Sequence, residues 1–90
     1  MHRLHAVIHG DVQGVGFRYF VIDHARPLGV RGWVRNRPDG SVEITAEGER
    51  RMLEELLDVA RRGLRGATVT DVDVRWDAAS GTLGPFEINH

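Results

Sequence analysis

The sequence predicts an α+β fold, with elements in the order β-α-β-β-α-β and an additional short C-terminal strand. Three observations carry that prediction. Apolar and polar residues alternate over short runs around residues 4–9, 31–47 and 69–76; two longer stretches repeat their apolar residues at helical spacing; and Gly, Pro and Asp separate the runs. Ninety residues at 41% hydrophobic and 28% charged is ordinary composition for one small domain, read here as residues 1–90. A chain of that length is too short for a doubly wound dinucleotide fold or an eight-stranded α/β barrel.

The first strand is read over Arg3 to His9, where Leu4, Ala6 and Ile8 alternate with His5, Val7 and His9, a pattern that fits a strand partly covered on both faces. Closely spaced glycines follow in Gly10-Asp11-Val12-Gln13-Gly14-Val15-Gly16, and then Phe17, Phe20, Val21, Ala25 and Leu28 recur at helical spacing. Pro27 has no N–H to continue that helix, so it should loosen near Arg26 and leave through Gly29. Arg31 to Arg37 and Ser41 to Glu47 flank Pro38-Asp39-Gly40, a β-hairpin in which Asp bonds its local backbone and Gly accepts positive φ. Glu49 to Arg62 places Met52, Leu53, Leu56, Leu57 and Ala60 on one stripe, with its charges on a solvated face. Val69 to Trp76 alternates Val72, Val74 and Trp76 against Asp71, Asp73 and Arg75; after Ser80-Gly81 a last strand is read around Phe86 to Asn89. Two interlocked βαβ halves of this order make a ferredoxin-like sandwich, with both helices on one face of a mainly antiparallel sheet. That architecture hosts many functions, so chemistry has to be argued from residues.

Composition removes several classes. Thirteen acidic and 12 basic residues give a net charge of -1, spread along the chain without a basic stripe, which argues against nucleic acid. No apolar run approaches the ~20 residues of a membrane span, and Met1-His2-Arg3-Leu4 leads into a strand without a signal-like apolar region; a cytoplasmic protein is expected. Absence of Cys excludes a thiolate nucleophile and Cys-based metal sites, and absence of Lys excludes Schiff-base chemistry and a Walker loop. His5 and His9 lie about 13 Å apart along one strand face, too far to share an ion, so no metal is expected. His2, His24, His90, Trp33 and Trp76 read as packing or solvent-contact residues.

The loop from Gly10 to Arg18 leaves a strand and opens a helix, which lets backbone N–H groups point together toward the positive end of a helix dipole. Tyr19 stands where a dinucleotide fingerprint needs its third Gly. By itself a glycine loop is equally a tight turn. Arg18 in the first helical turn opposes the macrodipole, a sign that a bound anion would reverse; the plain alternative is a solvated surface Arg. Asn36 is a poor strand former before a turn, but topology gives it a second role. Strands one and two run parallel with strand three between them, so the loop and Asn36 reach the same sheet edge about 10 Å apart. A phosphate on Arg18 and a water on Asn36 would fill that gap.

These residues carry a resemblance. Gly10-Asp11-Val12-Gln13-Gly14-Val15-Gly16-Phe17-Arg18 resembles the signature loop of the acylphosphatases, and Gly32-Trp33-Val34-Arg35-Asn36 with Asp39-Gly40-Ser41-Val42-Glu43 resembles their second motif. The similarity extends over essentially the whole chain, through Gly66-Ala67-x-Val69 and Phe86-x-Ile88. It implies hydrolysis of the carboxyl-phosphate bond of acyl phosphates, with phosphate held by Gln13, Gly14, Val15, Gly16, Phe17 and Arg18. Arg18 and Asn36 would be the catalytic pair, Asn36 orienting the attacking water. Acyl phosphate is then the substrate, inorganic phosphate the product or an inhibitor, and no cofactor, nucleic acid or membrane partner is expected of what should be a monomer. Pro27 is the main local departure and touches neither motif; Asp11 would slightly weaken anion attraction. The carboxylate leaving group, with a conjugate acid near pKa 4, requires no general acid. The resemblance gives no carboxylate, His or Lys the part of a base, so a substrate phosphate oxygen is the expected proton acceptor. The alternative is a non-catalytic phosphate or carbamoyl-phosphate binding module of the same fold, against which stand the presence of both Arg18 and Asn36 and a length that suits a stand-alone protein.

Overall fold

The computed structural model of the protein describes residues 1–90. Strand β1 (His2–Asp11) leads to helix α1 (Phe17–Ala25); β2 (Arg31–Asn36) and β3 (Val42–Gly48) form the hairpin; α2 (Arg50–Arg62), β4 (Thr68–Ala78) and β5 (Glu87–Ile88) complete the chain. The sheet order is β4-β1-β3-β2-β5, antiparallel throughout except for the parallel β2–β5 pair. This is the ferredoxin-like arrangement expected from the residue pattern, extended by one short strand. Alternation decides the two faces of the sheet. Leu4, Ala6, Ile8, Val34, Val42, Ile44 and Ala46 turn inward and meet Phe17, Val21, Ile22 and Ala25 of α1 and Leu53, Leu56, Leu57 and Ala60 of α2. Burying each of the larger of these side chains is worth about 1.5–3 kcal/mol, and that shared apolar layer fixes both helices on one face.

Element boundaries differ from the sequence reading where pairing continues past the apolar pattern. β1 runs through Asp11 because a register shift between His9 and Gly10 lets Gly10 and Asp11 pair with Val69 and Thr68 of β4. Only glycine fits there: Gly10 has φ +130, and a Cβ would lie 2.0 Å from the Thr68 carbonyl oxygen. The last strand shortens to Glu87–Ile88, since β5 finds partners only in Trp33 and Val34. Helix α1 ends where Pro27 requires, and Leu28 and Gly29 close the turn with N–H bonds to the carbonyls of Ala25 and Arg26.

No helix covers the opposite face, yet Glu43, Thr45 and Glu47 of central β3 are buried on it. Long side chains from the neighbouring strands do the covering. Arg3 Nε donates to Glu47 at 2.7 Å, Arg35 Nε donates to Glu43 at 2.6 Å, and His5 Nε2 lies 2.6 Å from Glu43. Residues 79–86 then cross from the β4 edge of the sheet to the β5 edge. On the way Ser80 N–H, Ser80 Oγ and Gly81 N–H donate to Glu47 at 2.8–3.0 Å, and Gly32 N–H donates to the Gly84 carbonyl. No helix is long and apolar enough to cross a membrane.

Candidate active site

The turn between β1 and α1 is anchored at both ends by the core. Val12 and Phe17 are almost wholly buried, while Gln13, Gly14, Val15 and Gly16 bridge them at the surface. Gly14 and Gly16 lie in the left-handed region at φ +75 and +80, which reverses the chain within the space of those residues. Gly16 is also the N-cap of α1 and has no side chain to give the first helical turn; no acidic residue stands in that turn. The first hydrogen bond of the helix is Phe20 N–H to Gly16 O at 3.0 Å. Consequently the main-chain N–H groups from Gln13 to Tyr19 have no acceptor in the protein. A run of unanswered donors at the positive end of a helix attracts an anion.

Arg18 sits half-buried in that first turn and makes no salt bridge. Asn36 is the last residue of β2. It pairs with Val42, whose other neighbour is Ile8, so Asn36 stands in the same row as Ile8, three residues before β1 ends, two strand spacings or roughly 10 Å across. The end of β2 and the end of the strand that leads into the loop are therefore at the same end of β3, as the topology argument expects. Asn36 Oδ1 is buried and has no hydrogen-bond partner, a condition that ordinary folded proteins avoid.

One contribution escaped the sequence reading. Gln13, read there for its backbone N–H, uses its side-chain amide to donate to the carbonyls of Arg37 at 2.7 Å and Ser41 at 2.8 Å. Both hydrogens of one amide thus fasten the loop to the hairpin that ends β2. The hairpin is itself braced: Asp39 Oδ1 accepts from Ser41 Oγ and Ser41 N–H, and these bonds hold the Asp39 carboxyl below its ordinary pKa. The signal available in sequence was a Gln, with two donors on one side chain, standing in an otherwise apolar glycine loop.

Residues 4–88 match the family model described as Acylphosphatase. The chain belongs to the acylphosphatase family. It is 53% identical over 88 residues to an acylphosphatase of Anaeromyxobacter sp. (strain Fw109-5), covering 98% of this chain and 95% of that one. A Thermococcus kodakarensis acylphosphatase is 49% identical over 82 residues, covering 91% and 90% of the two chains. In three dimensions the chain resembles the crystal structure of acylphosphatase from Bacillus subtilis, with a TM-score of 0.96 at 38% identity and full coverage of both chains.

Against that family background the other polar side chains sort into structural roles. His9 Nε2 lies 2.9 Å from Asp73, and His24 Nδ1 lies 2.9 Å from the Phe20 carbonyl. The tryptophans are both capped by arginine, Arg35 at 5.3 Å over Trp33 and Arg50 at 3.6 Å over Trp76. A cavity of about 300 Å³ lies between the helices, lined by Phe20, His24, Val59, Arg62 and Gly63. It contains none of the candidate residues. The unanswered main-chain donors of the β1–α1 turn lie at the surface, outside that cavity.

Proposed function

We propose that this acylphosphatase-family chain hydrolyses acyl phosphates by direct attack of water on phosphorus. The single observation that carries the reading is the coincidence of two unmet needs at one sheet edge. Main-chain donors from Gln13 to Tyr19 lack acceptors, and the Asn36 side-chain oxygen lacks a donor. A phosphoryl group answers the first and a water molecule the second.

In this scheme the phosphoryl oxygens lie on the amides of Gln13, Gly14, Val15, Gly16, Phe17 and Arg18, with the Arg18 guanidinium neutralising the charge that builds on them. Asn36 Oδ1 accepts one hydrogen of the attacking water, turning an oxygen lone pair toward phosphorus in line with the leaving carboxylate. The new O–P bond forms as the P–O bond to the acyl group breaks. The carboxylate departs with the bonding pair, and the proton of the water passes to a phosphoryl oxygen. A carboxylate is stable enough as an anion to leave unaided, so positioning and charge neutralisation supply the catalysis.

Release of phosphate from an aryl acyl phosphate, measured in chelator, tests this directly. The native protein should turn over rapidly without added metal, and Arg18→Ala and Asn36→Ala should both lose activity while keeping their folds. Phosphate that protects the native protein from unfolding through Arg18, without any turnover, would leave a binding module instead.

A further inference from the structure

We propose that the cavity between the two helices is a binding site for a small aromatic carboxylate, separate from the β1–α1 loop and independent of the acyl phosphate reading. It is the one cavity of the molecule, about 300 Å³, at the lower end of the range for small-molecule sites and room enough for a single ring with one charged group. Helix α1 gives it Phe20 and His24, one turn apart, and α2 gives it Val59 and Arg62, with Gly63 just past the end of that helix. Val59 is buried and Phe20 half-buried. The two rings form one wall, their centroids 4.6 Å apart and their planes tilted by 57°. His24 is fixed against Phe20 because its Nδ1 donates to the Phe20 carbonyl at 2.9 Å.

Arg62 decides the sign of the ligand. Asp58 stands four residues before it, the spacing and order at which an acid and a base pair best along a helix, and that pair does not form. At the other end of α2, Arg50 does reach Glu54 across the same spacing, at 3.6 Å. Arg62 instead lines the cavity, and no acidic residue lines it with Arg62. The carbonyl end of α2 contributes roughly half a negative charge, which the guanidinium groups of Arg61 and Arg62 in its last turn outweigh. An aromatic and aliphatic wall beside an unpaired guanidinium suits a flat apolar body carrying one anionic group, and a carboxylate matches the guanidinium fork. Inorganic phosphate would leave Phe20, His24 and Val59 uncovered; a neutral ring would leave Arg62 unanswered.

The test is titration with benzoate, with benzamide (the ring without the charge) and with acetate (the charge without the ring), followed by NMR of the backbone amides. Benzoate should bind with a Kd of about 1 mM and move the amides of Phe20, His24 and Gly63, and the other two should bind at least about tenfold more weakly. Arg62→Gln should weaken benzoate about fivefold, Arg62→Lys should regain part of the loss, and Arg61→Gln should change binding by less than about twofold. Benzoate that binds no better than acetate overturns the proposal. So does an equal loss in Arg61→Gln and Arg62→Gln, which would make the attraction one of general surface charge. Shifts confined to Gln13 through Arg18, or binding lost in Arg18→Ala and kept in Arg62→Gln, would put the anion on the loop and overturn it as well. Because the titration reads binding without turnover, a protein that binds benzoate between its helices and releases no phosphate keeps this site and loses the hydrolytic reading; one that turns over and shows no benzoate shifts loses this site alone.

Discussion

Glu47 on the open face of the sheet and Asn36 at the end of β2 are both polar side chains with buried atoms, and their surroundings treat them in opposite ways. Glu47 receives Arg3, both donors of Ser80 and the N–H of Gly81. Its neighbour Glu43 receives Arg35 and contacts His5. Asn36 Oδ1 receives nothing, and the donors from Gln13 to Tyr19 give to nothing. A small domain has only a few kcal/mol of net stability and satisfies polar groups wherever the fold depends on them. Groups left unanswered together, at one end of one sheet, are where the proposed phosphoryl group and water would complete the structure. The carboxylates are satisfied within the protein; the unsatisfied groups are the ones the proposed chemistry uses.

Removing Arg18 or Asn36 should break that comparison most severely. Arg18→Ala is expected to lower kcat/KM by about 10³ or more, the range for a cation that neutralises a transferring phosphoryl group. Folding stability should stay within about 0.5 kcal/mol of native or rise, since the substitution removes a cation from a helix N-terminus. Asn36→Ala should lower kcat by roughly 10² to 10³ while urea unfolding shows no loss, because the buried oxygen it deletes had no partner to lose. Phosphate release and urea midpoints on the same samples check both. A midpoint that falls in step with activity would show these residues to be structural after all.

The architecture was legible because apolar periodicity and turn residues agree along the chain: the stripe of α2, the hairpin around Pro38-Asp39-Gly40 and the exit at Gly29 all lie where the sequence puts them. Arg18 and Asn36 were legible as candidates because each breaks a local rule, a cation at a helix start and a poor strand former at a strand end. The partners of Glu43 and Glu47 were not. They come from residues 8 to 44 positions away and depend on strand register, which alternation does not specify across a four-strand span. The Gln13 clamp was hidden for a related reason, since its acceptors are carbonyls 24 and 28 residues distant, and carbonyls have no signature in sequence.

Glu47→Gln attacks the satisfied side of the comparison. Burial alone would raise this carboxyl above its ordinary 4.5, but the Ser80 N–H, Arg3, Gly81 N–H and Ser80 hydroxyl outweigh it and hold the group at about 2. A carboxyl whose folded pKa is depressed stabilises the fold fully above its unfolded value and loses that contribution as pH falls. Native stability should therefore decline by about 2 kcal/mol between pH 4.5 and pH 2 through this group, and Glu47→Gln should remove that part of the slope. At pH 7 the variant should be about 2 kcal/mol less stable, with unchanged turnover per folded molecule. Urea unfolding across pH measures the first; phosphate release at saturating substrate measures the second.

Gln13 joins the two regimes, since its satisfied amide positions the unsatisfied donors, and its removal should show a smaller mixed effect. Gln13→Ala frees the loop from the carbonyls of Arg37 and Ser41, which costs about 1 kcal/mol of stability and roughly tenfold in kcat/KM as the loop samples misaligned geometries. Gln13→Glu separates positioning from packing. It keeps the side-chain length but, when ionised, replaces two donors by acceptors opposed to two carbonyls, so it should be worse than alanine at pH 7 in both measurements. If alanine and glutamate prove equal, the amide merely fills space; if glutamate is worse, the two hydrogen bonds hold the donor loop beside Asn36.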